Sequence, residues 1–274
     1  MFKECFDKVR NQSPLIHNIT NYVTINDVAN ILLACGASPI MADEAVEVEE
    51  ITSICSGLNI NIGKLNRHMI PAMLLAGKKA CELGHAVVLD PVGVGASRLR
   101  LETADFLMKE IRFSAIRGNI SEIKTLMYGS GRSKGVDAAA ADALSGEDVE
   151  AMAAALKEYA RETGCIIAAT GSVDLVCDSR TCYVIRNGRP EMEKVTGTGC
   201  QLSGLMTAFL AANPGNYLEA AAAAVAAMGL AGENGWSYMQ PGDGSAAYRN
   251  RIIDAIYNMD GTILEQGARF EIIC

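Results

Sequence analysis

Residues 195–210, VTGTGCQLSGLMTAFL, set two glycines and a cysteine where a turn feeds a helix. Gly197 and Gly199 let the backbone fold tightly and turn successive N–H groups toward one point. The helix that follows adds unpaired amides and the positive end of its dipole. Together these make a cradle for a phosphoryl group. The spacing is not GxxxxGK[ST], so this is no Walker loop. Nor is it GxGxxG after a first strand, which excludes the dinucleotide fingerprint. A plain glycine turn before a buried helix would use the same letters. Cys200 stands at the mouth of the helix, where the thiolate is favoured, so its pKa is expected below the ordinary thiol value of about 8.5. Three roles stay open for it: a nucleophile, a group that takes a proton from a substrate hydroxyl, or an inert small residue of the core.

Three other clusters hold groups suited to the same chemistry. Asp90 closes the apolar run AVVLD within LDPVGVGAS, residues 89–97. A carboxylate there can reach a metal or an alcohol, or simply open an Asp-Pro turn. In RGNISEIKTL, residues 117–126, Asn119 and Glu122 have capping-box spacing. Beyond that structural part, Glu122 could face a hydrated Mg2+, which takes only one or two carboxylates. Asn119 could support phosphate oxygens, and Arg117 could pair with nucleotide phosphates. The last cluster joins IHNITNYVTIN to SPIMADE. Asn21 offers a polar group near the end of a strand, and Met41 offers a soft apolar surface for a planar ring or for the core. His17 lies within a strand and reads as a satisfied core histidine.

These groups need a frame to hold them. Short apolar runs alternate with longer helical ones. Strands are expected over residues 15–19, 38–41, 59–62, 86–90, 115–117 and 165–170. Helices are expected over 24–35, with Thr24 as N-cap, and over 67–83 and 146–163. AVVLD and CIIAAT are apolar at successive positions, as parallel strands covered on both faces require. The pattern is that of a layered α/β/α domain with a mostly parallel sheet. After Thr170 the rhythm changes to a hairpin, 173–177 and 182–186, then helices over 199–212, 217–231 and 246–258. Asp243 or Ser245 would cap the last of these, and residues 269–273 form an edge strand or a tail. No linker or repeat interrupts the 274 residues, so one domain over 1–274 is expected. In such sheets ligands bind beyond the carboxyl ends of the strands, where all four clusters fall.

Bulk properties remove several function classes. The chain carries 24 basic and 32 acidic side chains, and no basic cluster is long enough to track a phosphate backbone, which disfavours nucleic acid as partner. The longest uncharged alanine-rich run, residues 220–232, is too short and too weakly apolar for a membrane span. The N-terminal MFKECFDKVRNQ has no apolar signal core. Nine cysteines are scattered with no CxxC and no histidine at ligand spacing, which disfavours structural zinc. Reduced thiols in a cytoplasmic protein are the simpler expectation.

HNITNYV, GASPIMADEAVE, DPVGVGAS, IRGNISEI, ATGSVD and VTGTGCQLSG occur in that order. Together they resemble the hydroxyethylthiazole kinases of the ribokinase-like fold, over about residues 15–240. The resemblance implies a three-layer α/β/α ribokinase-like enzyme that uses ATP and Mg2+. Its substrate would be the primary alcohol of 4-methyl-5-(2-hydroxyethyl)thiazole, in thiamine salvage. It also implies a homotrimer with active sites between subunits. Most ribokinase-like enzymes place an aspartate base after the glycine pair; this family carries cysteine, and Cys200 matches. By the same matching, Met41 and Gly197 would line the thiazole pocket, with Met41 facing a neighbouring chain. Arg117 and Thr170 would contact ATP. Asp90 and Glu122 would surround Mg2+ and the triphosphate, with Asn21 close to the phosphate and the substrate hydroxyl. Competing readings are another ribokinase-like alcohol or vitamin-precursor kinase, a nucleotide-hydrate dehydratase of that fold, a thiazole-binding protein without turnover, and a thiol-redox protein.

Overall fold

Strands that are apolar at every position need cover on both faces, and the computed structural model, which describes residues 1–129 and 146–274, provides it. Six strands run parallel: β1 (Leu15–Ile19), β2 (Ser38–Met41), β3 (Gly57–Asn61), β4 (Ala86–Asp90), β5 (Ala115–Asn119) and β6 (Ile166–Thr170). The antiparallel strands β7 (Asp174–Cys177), β8 (Cys182–Ile185) and β9 (Phe270–Ile273) continue the sheet. The order is β2-β1-β3-β4-β5-β6-β7-β8-β9, so all nine belong to one sheet.

Alternation along each strand divides the core in two. On β4, Val88 faces one layer while Val87 and Leu89 face the other. The first layer holds α1 (Phe2–Gln12), α2 (Ile25–Cys35), α8 (Thr198–Ala212), α9 (Tyr217–Ser237), α10 (Ser245–Asn258) and α11 (Gly261–Gly267). The second holds α3 (Val48–Ile54), α4 (Met69–Leu83), α5 (Arg98–Glu110), α6 (Ile120–Tyr128) and α7 (Gly146–Thr163). Each large aliphatic side chain fully buried this way contributes about 1.5–3 kcal/mol. α8 is buried from Cys200 through Leu210, lying against β1, β3 and β4 with α1, α2 and α9 around it. A helix enclosed on all sides must satisfy its own polar groups. Thr207 does so by donating to the Ser203 carbonyl (2.8 Å).

The expected strands and main helices are present, including β9 at the edge of the sheet. Several points differ. The charged N-terminus forms α1, because Phe2, Cys5, Phe6 and Val9 recur at helical spacing and bury one face. α3, α5 and α11 were not anticipated; α5 is capped by the Ser97 hydroxyl, which accepts from Arg100 N. Thr24 precedes α2 but its side chain makes no capping bond. The residue before α10 is Gly244, while Asp243 accepts instead from Gln240 N and Arg251. The expectation that all thiols are reduced is also corrected. Cys177 and Cys182 face each other in register across the β7–β8 hairpin, with Cα atoms 4.1 Å apart, and are joined as a disulfide. The other seven cysteines are free. Among the described residues no helix is long and apolar enough to cross a membrane.

Candidate active site

Parallel strands end together, so their last residues form a row. Asn61 of β3 lies in register with Asp90 of β4, and Asn119 of β5 with Thr170 of β6. Asn21 follows β1. The amino end of α8 comes to this row. Gly197 precedes its first turn with φ at 92°, a conformation costly for any residue with a Cβ. A Cβ there would also sit 2.6 Å from Cγ2 of Thr24. Gly199 is required for a different reason: its Cβ would fall 2.5 Å from Nη1 of Arg117. The guanidinium therefore lies directly on the helix start, held by an Nη2 bond to Thr170 Oγ1 (2.8 Å).

Cys200 is 7% exposed, and its sulfur accepts from Asn21 Nδ2 (3.3 Å) and Asn61 Nδ2 (3.2 Å). The expected fall in its pKa does not occur. Burial pushes the thiol up, the Asp90 carboxylate adds to that, and the Thr24 hydroxyl and the Asn21 and Asn61 amides only oppose it. A helix dipole favours an exposed thiolate, but desolvation outweighs it when the sulfur is enclosed.

Asp90 is fully buried. Its Oδ2 accepts from Asn61 Nδ2 (2.8 Å) and Ser203 Oγ (2.8 Å). Its Oδ1 has no hydrogen-bond partner, and Arg117 Nη1 stands 3.9 Å away. Burial raises the carboxyl to about 6, against the pull of Arg117 and with a push from Glu122. Glu122 completes the anticipated capping box: its backbone N–H donates to Asn119 Oδ1 (2.7 Å), and its Oε2 accepts from Asn119 N (2.8 Å). It also reaches across to the loop after β4, where its Oε1 accepts from Gly93 N (2.8 Å). Arg100 joins that loop to the one after β3, donating to Val92 O (3.0 Å) and Gly63 O (2.6 Å).

A cavity of about 680 Å³ opens beside this group. Arg117, Thr170 and Gly199 are among its lining residues, as are the apolar Met192, Val225 and Met228. The structure thus gathers Asn21, Asp90, Arg117, Thr170, Gly197, Gly199 and Cys200, with Glu122 behind them. Met41 is not among them: it ends β2 at the open edge of the sheet, half-exposed, and does not line the cavity. Beside that edge Val23 is 73% and Val46 91% exposed. Sequence reasoning missed Asn61 and Ser203. The one available signal was the alternation GLNIN, which puts Asn59 and Asn61 at every second position of a buried strand. Among the described residues no group of three or more His, Cys, Asp or Glu side chains could hold a metal.

The sequence matches the model of the hydroxyethylthiazole kinase family over residues 6–261. A hydroxyethylthiazole kinase of Clostridium acetobutylicum is 54% identical over 271 residues, 99% of each chain. The structure of hydroxyethylthiazole kinase from Pyrococcus horikoshii OT3 superposes with a TM-score of 0.87 at 31% identity, covering 100% of this chain and 99% of that one. A pyridoxal kinase from Staphylococcus aureus, solved with AMP-PCP and pyridoxal, shares the fold at 16% identity. Its TM-score is 0.62, over 95% of this chain and 98% of that one.

Proposed function

Because the chain belongs to the hydroxyethylthiazole kinase family, we propose that the start of α8 and the ends of β3 to β6 are its phosphoryl-transfer site. The enzyme is a phosphotransferase of the ribokinase-like α/β/α fold. It phosphorylates the primary alcohol of 4-methyl-5-(2-hydroxyethyl)thiazole with ATP as co-substrate, in thiamine biosynthesis. Identity of 54% along the whole chain sets aside the competing readings.

One observation supports the placement: the Cys200–Asn61–Asp90 hydrogen-bonded chain stands beside Arg117, which itself lines the cavity. ATP would fill that cavity, with its phosphates at Arg117 and Thr170 and its base among Met192, Val225 and Met228. The thiazole alcohol would enter on the Cys200 side past Gly197, with Asn21 near its hydroxyl and Met41 near its ring. Phosphoryl transfer passes through a loose transition state, so positioning and charge stabilisation do most of the catalysis. The amides of residues 197–200 and the Arg117 guanidinium face the charge on the transferring group. The alcohol oxygen bonds to phosphorus as the bond to the ADP oxygen breaks. Its proton is lost late, to an oxygen of the transferred phosphoryl group and from there to solvent, so a thiol that is largely neutral can still serve at Cys200 by orienting the hydroxyl.

Mg2+ fits these residues. Oδ1 of Asp90 is a buried carboxylate oxygen with no hydrogen-bond partner, and Mg2+ keeps most of its waters and needs few protein ligands. Asp90 and Glu122 would hold the ion, Glu122 through water because both its oxygens already accept backbone N–H groups. The ion would supply neutralising charge for the triphosphate.

Protein, ATP, Mg2+ and the thiazole alcohol should yield the alcohol's phosphate ester by mass spectrometry. Turnover of pyridoxal or a pyrimidine alcohol with none of the thiazole would overturn the reading. Gly199→Ala tests the nucleotide end: displacing Arg117 should raise the KM for ATP at least about tenfold, the worth of one bond to a charged group, with a smaller change in KM for the thiazole.

The same reading has one domain over residues 1–274 in a cytoplasmic homotrimer with active sites between subunits. Its support is the open β2 edge that Met41 ends, and the exposed apolar side chains of Val23 and Val46. Light scattering should return three times the 29.1 kDa chain mass; a monomer would remove the shared site.

A further inference from the structure

Asn61 has no solvent exposure and ends β3 opposite Asp90. Its amide nitrogen donates to Asp90 Oδ2 (2.8 Å) and to Cys200 Sγ (3.2 Å). Its amide oxygen accepts from Gly63 N (2.8 Å) and from Asn21 Nδ2 (3.2 Å). Two donors and two lone pairs are all that an asparagine amide has, and here each is used. The orientation is therefore fixed: a flipped amide would set oxygen against the Asp90 carboxylate and N–H against the Gly63 N–H.

Asn21 supplies a second N–H to the sulfur at 3.3 Å. Two amides occupy both lone pairs of a thiol, or two of the three of a thiolate. The third direction at the sulfur holds either the S–H or the last lone pair, and the Thr24 hydroxyl, which has no hydrogen-bond partner of its own, stands near enough to favour the thiolate as well. In either form an alcohol oxygen bonded to Cys200 must lie along that third direction.

We infer that Asn61 is a positioning residue for the phosphoryl transfer proposed above, acting through Cys200 and Asp90. It pins the sulfur and the carboxylate on one amide and, with Asn21, leaves the sulfur a single open direction for the acceptor's hydroxyl. The inference rests on that functional reading for its acceptor, but not for its geometry. Of the charged groups nearby, Asp90 from β4 acts on the sulfur, Arg117 from β5 and Glu122 from α6 act on Asp90, and Asp27 comes from α2. Asp27 lies beside Gly197 and is paired with Arg249 of α10 at 3.7 Å. Of the two amides that favour the thiolate among these charges, Asn61 alone also spans to Asp90.

Two variants test this. Asn61→Ala removes every bond. Asn61→Asp keeps the shape and the acceptor for Gly63 N, removes both donated bonds, and protects against a misfolded alanine variant. Each should lower kcat about 10–100-fold, the scale of a misplaced reacting group, with the KM for ATP changed less than about threefold. Alkylation of Cys200 by iodoacetamide, followed by mass spectrometry of its peptide in ligand-free protein across pH, gives the decisive reading. Its midpoint should move up by about half a unit or more in Asn61→Ala, and further in Asn61→Asp, as donors are lost and charge is added. A fall in kcat with the midpoint unmoved would show a merely structural residue and overturn the inference. So would an undiminished Asn61→Ala effect in a Cys200→Ala background, where only the part that runs through Asp90 is expected to remain. If the wild-type chain made no thiazole phosphate, the functional reading would fall while the alkylation result still stood.

Discussion

Asp90→Asn is expected to slow turnover about 10²–10³-fold, as loss of a charge-stabilising group at a transition state does, and to make the ligand-free protein melt higher at pH 8. Both follow from one buried carboxylate. Asparagine keeps an oxygen for Asn61 and Ser203 to donate to, so the local packing survives. What it removes is a charge that burial disfavours: the Asp90 carboxyl is pushed up to about 6, chiefly by desolvation. An acid whose folded pKa lies above its unfolded value binds its proton more tightly in the folded state. Stability therefore falls as pH rises from about 4 to about 6, and the cost is full above that window. A shift of that size corresponds to roughly 3 kcal/mol at most, or several degrees in melting temperature for a chain of this length. The melting advantage of Asp90→Asn should be present at pH 8 and disappear near pH 4, where the parent carboxyl is protonated. Scanning calorimetry of both proteins across that range checks it. A variant less stable at pH 8, or an advantage independent of pH, would mean that Arg117 already compensates the charge. Function at this position is held against stability.

The frame was legible where burial leaves a periodic mark. AVVLD and CIIAAT could only be strands covered twice, and the hairpin after Thr170 announced itself by alternation and turn residues. The mark was equally present in the first helix, at Phe2, Cys5, Phe6 and Val9, but its charges drew the reading toward solvent. In the site, groups with an evident charge or an unusual position were legible: Cys200, Asp90, Arg117 and the two glycines. Asn61 and Ser203 were not. An amide and a hydroxyl gain their meaning from what stands opposite, and the register of β3 on β4 and the turn of α8 over Asp90 appear only in three dimensions. The Cys200 pKa failed for the same reason. A helix start can be read from letters, but the depth at which it is buried cannot. Met41 ends β2 away from the cavity, and a place for it in the proposed site would require a second chain beside that edge.

Cys200 separates three chemistries. Its sulfur is held by two N–H donors, and such a cradle suits any anion-bearing acceptor, a carboxylate included. Cys200→Ala takes one acceptor from each of Asn21 and Asn61, which keep their bonds to Asn61 and Asp90, and on the proposed reading removes the group that orients the hydroxyl. Assistance of that kind contributes about 10²–10⁴-fold, so turnover should slow by that factor without vanishing. The remaining rate would come from the α8 amides and Arg117. Cys200→Asp should recover at least about tenfold over the alanine variant, because its carboxylate can take both amide bonds and face the hydroxyl. Asp90 nearby would tax that carboxylate, keeping recovery short of complete at low pH. A covalent route predicts the reverse. If sulfur carried the phosphoryl group, the aspartate variant would be as slow as alanine, and a phosphocysteine would build up when ATP is mixed with the parent in the absence of alcohol. Rapid-quench mass spectrometry of the Cys200 peptide reads that directly. Alanine equal to the parent would retire both roles and leave the cysteine as packing. The geometry argues against that, since a residue kept for packing alone has no need of two buried amides on its sulfur.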